Sequence, residues 1–307
     1  MPGVKKAGVK QTPVTQFIAE KPSVNGIAPA PLAQVLPKPS SVSGIAPAPQ
    51  VQVPAKPSSV NEIPPANVSA ELQQQLNRTT GIAILDRTLG GGLPSGSVVY
   101  IYADAKSMAE VFLYQFTQAR KTYYFSNERR PAYVLRDIKN FGFKSEGITF
   151  IDVYSEYYIT PHGEMVDNVG NEFVDAKIVE FTEYNLKKIM ADEVKDLNLI
   201  FDSFSFYLNL NVNPGILKRL INVIYELTKN LNCVTFLYGL KDTHEKTLEN
   251  EILKSCDVIF DVELEKNSDK ISNKLSIPKI RGRVPTSEMI KFRVGDGVQI
   301  DTTKDIA

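Results

Sequence analysis

The chain has 307 residues, 35 Lys and Arg balanced by 35 Asp and Glu, two cysteines and no tryptophan. A formal net charge of zero excludes the whole-molecule attraction to nucleic acid or anionic membrane that a strongly basic chain would show. No apolar run reaches the length of a membrane span, and the opening "MPGVKKAGVKQTPV" lacks the apolar centre of a secretory signal, so a cytoplasmic protein is expected.

Thirteen of the 19 prolines lie between Pro2 and Pro65, and Phe17 is the single aromatic residue before Tyr100. A segment so poor in large apolar side chains cannot offset the entropy of ordering it. Residues 1–78 are therefore read as a disordered Pro/Ala/Ser-rich arm, and 79–307 as one folded domain. Three related units repeat within the arm: "KPSVNGIAPAPLAQVLP" from Lys21, "KPSSVSGIAPAPQVQVPA" from Lys38 and "KPSSVNEIPPA" from Lys56. Proline favours extended, solvated chain here. The arm then serves either as a semi-stiff spacer or as a tandem docking segment for a protein partner.

Beyond residue 79, apolar runs alternate with amphipathic stretches. Strands are expected at Val98–Tyr102, Thr122–Phe125, Ile148–Val153, Leu197–Asp202, Val234–Tyr238 and Val258–Val262. Helical faces are expected on Met108, Val111, Phe112, Phe116 and Ala119, and on Ile216, Leu220, Val223 and Leu227. Near-continuous apolar strands between helices imply an α/β fold, a mostly parallel sheet covered on both faces. After Val258, "KLSIPKI", "EMIKFRV" and "GVQID" read as antiparallel strands. Tyr154–Asp175 reads as a long loop or an extra hairpin. Cys233 and Cys256 sit in or beside apolar runs and read as small core hydrophobes. His162 and His244 have no partner at metal or triad spacing and read as surface residues.

The string "GIAILDRTLGGGLPSGSVVYIY" resembles the opening of the RecA superfamily, within it the archaeal KaiC-like and RadA-like ATPases. The resemblance continues at "LNLIFDSFSFY", similar to a Walker B strand, and at "CDVIFDVEL" and "IPKIRGRVPTSEMIKFRVGDGVQI", similar to the closing strands with their Lys-x-Arg-Gly element. Together these cover Thr79 to Asp301 and imply a RecA-like P-loop NTPase fold. A phosphate loop of that family has the form G-x-x-x-x-G-K-[ST], with glycines for backbone approach, a lysine for the phosphates and a hydroxyl for Mg²⁺. The corresponding stretch here is "ADAKSMAE". Aligned without gaps, the four key positions hold Ala103, Met108, Ala109 and Glu110. A shifted alignment uses Lys106-Ser107 as the Lys-Ser pair and leaves only Ala103, Asp104 and Ala105 before the lysine. A structural account of the same residues is a capping box, with Ser107 as N-cap and Glu110 at N3.

By resemblance, Asp202 stands at the Walker B position and Glu128 of "SNERRP" is the candidate for the catalytic glutamate. Glu128 could equally pair with Arg129 or Arg130, or cap the next helix. Lys279 and Arg281 of "PKIRGR" match the Lys-x-Arg that reaches a neighbouring subunit's γ-phosphate in hexameric relatives. Together these imply a non-hydrolysing KaiC-like pseudo-ATPase of archaeal type, a regulatory or signalling scaffold with no firm cofactor. One alternative is a weakly active ATPase that binds ATP and Mg²⁺ through Asp104, Lys106, Ser107, Glu128 and Asp202. A DNA-recombination accessory is another, although no Arg/Lys stripe with interleaved aromatics supports nucleic-acid binding. Expected partners are proteins, a second copy of the chain or an active paralogue, with no membrane.

Overall fold

The computed structural model describes residues 77–301 apart from 168, 268, 269 and 287. The repeats of the expected arm lie outside the described residues. Asn77 and Arg78, placed in the arm by composition, form β1 (Asn77–Arg78), which pairs antiparallel with β2 (Leu93–Pro94) around α1 (Ala83–Thr88).

The triple glycine makes this small unit possible. Gly90, Gly91 and Gly92 have φ of +69°, +107° and +116°, a region that L side chains rarely enter. The amides of Gly91 and Gly92 reach the Asp86 carbonyl at 2.8 and 3.1 Å. A Cβ on Gly92 would stand 2.4 Å from the Arg78 carbonyl oxygen, so no side chain fits. The Asp86 carboxylate accepts the Thr80 amide and hydroxyl, each at 2.7 Å, and ties the preceding turn to α1.

The main sheet contains β3 (Val98–Ala103), β4 (Thr122–Ser126), β5 (Ile148–Asp152), β6 (Asn198–Asp202), β7 (Val234–Leu240), β8 (Val258–Asn267), β9 (Lys270–Ile280), β10 (Ile290–Gly295) and β11 (Gly297–Asp301). Their spatial order is β11-β10-β9-β8-β3-β7-β6-β4-β5. The six strands from β8 to β5 in that order run parallel, and β9, β10 and β11 close the sheet antiparallel. This is the α/β architecture expected from the alternating pattern.

Side-chain alternation divides the core in two. Along β3, Val99, Ile101 and Ala103 join α2 (Glu110–Phe116) and α3 (Pro131–Asn140) in one apolar cluster. Val98 and Tyr100 point to the other face, under α4 (Val153–Tyr158), α5 (Glu172–Ala191), α6 (Ser205–Leu208), α7 (Pro214–Asn230) and α8 (Lys246–Ser255). Burial on both faces is why these strands read as unbroken apolar runs. Cys233 and Cys256 lie inside the second cluster, and burial pushes both thiols up to about 12.

Three local expectations are corrected. Met108 is 47% exposed with φ +52°, and Ala119 lies beyond α2, so the buried face of that helix is Val111, Phe112 and Phe116 with their neighbours. The N-cap of α2 is Ala109 with no side-chain cap, so Ser107 and Glu110 form no capping box. Tyr154–Asp175 contains α4, an antiparallel Ile159–Met165 bridge and the first turn of α5.

The fold also sets where a site can lie. From β3 the chain passes into α2 on one face of the sheet, and from β7 it passes into α8 on the other. The C-terminal ends of β3 and β7, which are neighbours, therefore open a crevice of the kind that holds ligands in open α/β sheets.

Candidate functional site

The connection from β3 to α2 carries "ADAKSMAE" into that crevice. Three of its backbone amides, those of Asp104, Lys106 and Ser107, are turned back on the chain. The Asp104 amide bonds the Val262 carbonyl at 3.0 Å and the Ser107 amide bonds the Asp104 carbonyl at 2.9 Å. The Lys106 amide is held by the Asp104 carboxylate at 2.9 Å, and the Ser107 hydroxyl by the Asp104 carbonyl at 2.6 Å. Glu110 folds its carboxylate toward its own amide, which lowers its pKa, but burial and then nearby Asp202 raise it further, above the ordinary carboxylate value. Lys106 is exposed. Asp104, Lys106 and Ser107 thus form one hydrogen-bonded turn.

Behind this turn lies a polar network centred on Arg129, just past the end of β4. Its guanidinium contacts Tyr114 Oη at 2.6 Å, Asp137 Oδ2 at 2.7 Å and Asp202 Oδ2 at 3.3 Å. The same Asp202 oxygen accepts the Tyr124 hydroxyl at 2.7 Å. Asp202 is 5% exposed, so its charge depends on these partners. Burial opposes the charge of Arg129, but Asp202 and then Tyr114 outweigh it and hold the guanidinium firmly protonated. Tyr114 and Tyr124 are both shifted up, by burial first and then by Asp202, so both remain phenols.

Glu128 stands at the rim. It accepts the Ser203 hydroxyl at 3.2 Å, and the N-cap of α3 is Arg130 with no side-chain cap, so Glu128 does not cap that helix. Part of Glu128 reaches solvent, yet packing around its carboxyl and the charge of Asp202 raise its pKa. Asn127 pins the turn after β6: its amide bonds the Asp202 carbonyl and its Nδ2 the Ser203 carbonyl, both at 2.8 Å. The Asp202–Ser203 peptide bond is cis.

The site therefore brings Asp104, Glu110, Glu128 and Asp202 to one end of the sheet. Arg129 is the cation that the sequence reading treated only as a pairing option for Glu128. The signal was present: an arginine three residues past one strand end can reach the Walker B-like aspartate at the end of a second when those strands are neighbours, as β4 and β6 are. Among the described residues, no group of three or more His, Cys, Asp or Glu side chains could hold a metal ion.

Lys279 and Arg281 lie elsewhere. Lys279 aligns with Ile259 near the start of β8, the opposite end of the sheet. Its ammonium donates to the Leu253 and Lys254 carbonyls at 2.7 and 3.1 Å. Arg281 Nη2 reaches the Lys254, Cys256 and Ser255 carbonyls at 3.0, 3.3 and 3.4 Å, and its Nε stands 2.9 Å from Asp257 Oδ1. Both cations cap the C-terminal end of α8, where a helix dipole favours positive charge. Both are engaged within their own chain, with the Arg281 side chain still half exposed.

His244, expected at the surface with no partner at metal or triad spacing, is half-buried and hydrogen-bonded. Its ring meets Ser205 Oγ at 2.9 Å, Thr243 Oγ1 at 2.8 Å and Asn209 Oδ1 at 3.2 Å. Thr243 is the adjacent residue, while Ser205 begins α6 and Asn209 is its C-cap, contacts that sequence spacing did not indicate. His162 is exposed.

Sheet order, the divergent helices and the crevice define a RecA-like α/β fold. Solved structures agree. The KaiC-like protein PH0186 of the hyperthermophilic archaeon Pyrococcus horikoshii OT3 superposes with a TM-score of 0.56 at 18% identity, covering 73% of this chain and 98% of that one. The flagellar accessory protein FlaH of Methanocaldococcus jannaschii gives 0.55 at 19%, covering 72% and 96%. At these identities the likeness shows the fold alone. The chain itself belongs to the family of unknown function DUF7125, whose model matches residues 77–307. No curated protein matches the chain.

Proposed function

We propose that this chain is a non-hydrolysing, KaiC-like binding module that acts by regulation or scaffolding rather than by nucleotide turnover. One observation carries the reading: this end of the sheet gathers four carboxylates, while the Lys106 and Ser107 amides are already bound to Asp104. Phosphoryl transfer depends almost wholly on positioning and charge neutralisation. Here a triphosphate would meet the carboxylates of Asp104, Glu110, Glu128 and Asp202, with Arg129 already bound to Asp202. ATP with Mg²⁺ does not fit this set of side chains. Partners are then proteins, and an accessory role has a parallel in FlaH, one of the structural neighbours. Among the described residues no helix is long and apolar enough to cross a membrane.

Equilibrium binding of labelled ATP with and without Mg²⁺, followed by steady-state phosphate release, tests the reading. The expected result is no saturable binding and no release above background. Mg²⁺-dependent release that disappears in Lys106→Ala would replace it with the weakly active ATPase built on Lys106, Ser107, Glu128 and Asp202.

A further inference from the structure

The long helix α5 places Ile178, Val179, Leu186 and Ile189 in the second core cluster. Its other side carries Phe173, Lys177, Glu180, Tyr184 and Lys187, all exposed. At about 3.6 residues per turn these five fall within a sector of roughly 80°, opposite the buried side. Phe173 is 66% exposed and Tyr184 50%. A single exposed ring is ordinary, but two rings in line with two opposite charges form a patterned surface. We propose that this stripe is a self-complementary contact surface, on which two copies of the chain pair through antiparallel α5 helices.

The stripe is its own complement in one register. A two-fold axis level with the midpoint between residues 178 and 179 sets Phe173 opposite the second copy's Tyr184, and Lys177 opposite its Glu180. Each pair then occurs twice, as a closed two-fold contact demands. The steps from 173 to 177, 180 and 184 are those of the seam positions of paired helices. Other registers set like charges together: an axis level with residue 182 puts Lys177 against Lys187, and one level with residue 180 puts Glu180 against itself. In its own chain the Lys177 ammonium lies 4.3 Å from the centre of the Phe173 ring. Among the described residues neither Lys177 nor Glu180 forms an ion pair within the chain, so both charges are available to a second copy.

Size sets the strength. Four rings, each at least half exposed, supply about 400 Å² of the roughly 1,000 Å² that a specific interface needs. The remainder falls to the stems of Lys177, Glu180 and Lys187 and to exposed Met190 near the end of the helix. A weak, concentration-dependent dimer is expected rather than an obligate one. None of these residues belongs to the candidate site, so the surface does not depend on whether that site holds nucleotide.

Light scattering of the full-length chain across a concentration series measures the association, and disulfide trapping reads its register. Lys177→Glu sets like charges together twice and should weaken association about tenfold, while Lys177→Glu combined with Glu180→Lys should restore it. All four stripe positions tested are exposed, so the substitutions leave the core packing in place. Phe173→Cys chains mixed with Tyr184→Cys chains should cross-link to one another faster than Phe173→Cys chains cross-link among themselves. The native Cys233 and Cys256 are buried and do not compete. A wild type that stays monomeric at millimolar concentration would overturn the proposal and leave the stripe to a different partner. A dimer indifferent to Lys177→Glu, or cross-linking with no preference for the 173–184 pair, would overturn it equally.

Discussion

Replacing Arg129 by methionine keeps length and apolar stem while removing the charge that Asp202 depends on. Asp202 is 5% exposed and would keep only the Tyr124 hydroxyl. Breaking a buried pair by removing one partner costs about 3–5 kcal/mol. The Arg129 side chain is 35% exposed, so solvent screening reduces the figure, and about 2–4 kcal/mol is expected for Arg129→Met. For a domain of this size each kcal/mol lowers the melting temperature by about 2–4 °C. Arg129→Met combined with Asp202→Asn removes both charges, and an asparagine can still accept from Tyr124. The double variant should therefore be more stable than the sum of the single losses by about 1–3 kcal/mol. Urea denaturation followed by far-ultraviolet circular dichroism reads both quantities. A cost for Arg129→Met below about 1 kcal/mol, or strict additivity in the cycle, would show that Arg129 is a rim cation and not the charge that holds the site together.

Two further outcomes follow from geometry. Glu110 has a folded-state pKa above its unfolded value, so its ionisation opposes folding above that folded pKa and is without effect below the unfolded one. Glu110→Gln should raise the melting temperature at pH 8 and leave it unchanged near pH 3, and a gain of equal size at both would assign the effect to packing. Gly92→Ala should cost more than Gly142→Ala in the same urea assay: both have positive φ, but a Cβ meets backbone at 2.4 Å only at Gly92. The second substitution is expected to lose about 1–2 kcal/mol from backbone strain alone, and equal losses would remove the steric account of the triple glycine.

The sheet was legible because burial on both faces writes each parallel strand as an apolar run. Val98–Ala103, Asn198–Asp202 and Val234–Leu240 could be found to within a residue or two by that signal. What failed was local and polar. Met108 carries an apolar side chain at helical spacing, yet its positive φ places it before the helix, and a hydrophobic pattern holds no information on one residue's backbone angle. His244 and Ser205 are 39 residues apart and meet only because β6 and β7 are neighbours and their following segments return to the same corner. Arg129 was visible but unassigned, since its partner depends on strand order rather than on spacing. The absence of glycine from "ADAKSMAE" could be read directly; that Asp104 would take the Lys106 and Ser107 amides could not, because an Asx-type turn and an exposed loop share the same composition.

The in-chain roles of Lys279 and Arg281 bear on how such a domain could assemble. Asp257, with a side chain 5% exposed, is held by Lys229 at 2.7 Å and Arg281 at 2.9 Å, and its Oδ2 also accepts the Val98 amide at 3.0 Å. An interface that drew Arg281 to a neighbouring subunit would strip one cation from this buried carboxylate and uncap the last carbonyls of α8. Truncating one side of a buried pair costs about 3–5 kcal/mol, discounted here because Arg281 is itself half exposed. A phosphate on the neighbour could offset that loss through charge-assisted bonds. The turn after β3 would have to hold that phosphate, and its Lys106 and Ser107 amides are already bound to Asp104. Without such a phosphate on the neighbour, the two cations are more stable where they are, as the cap of their own helix.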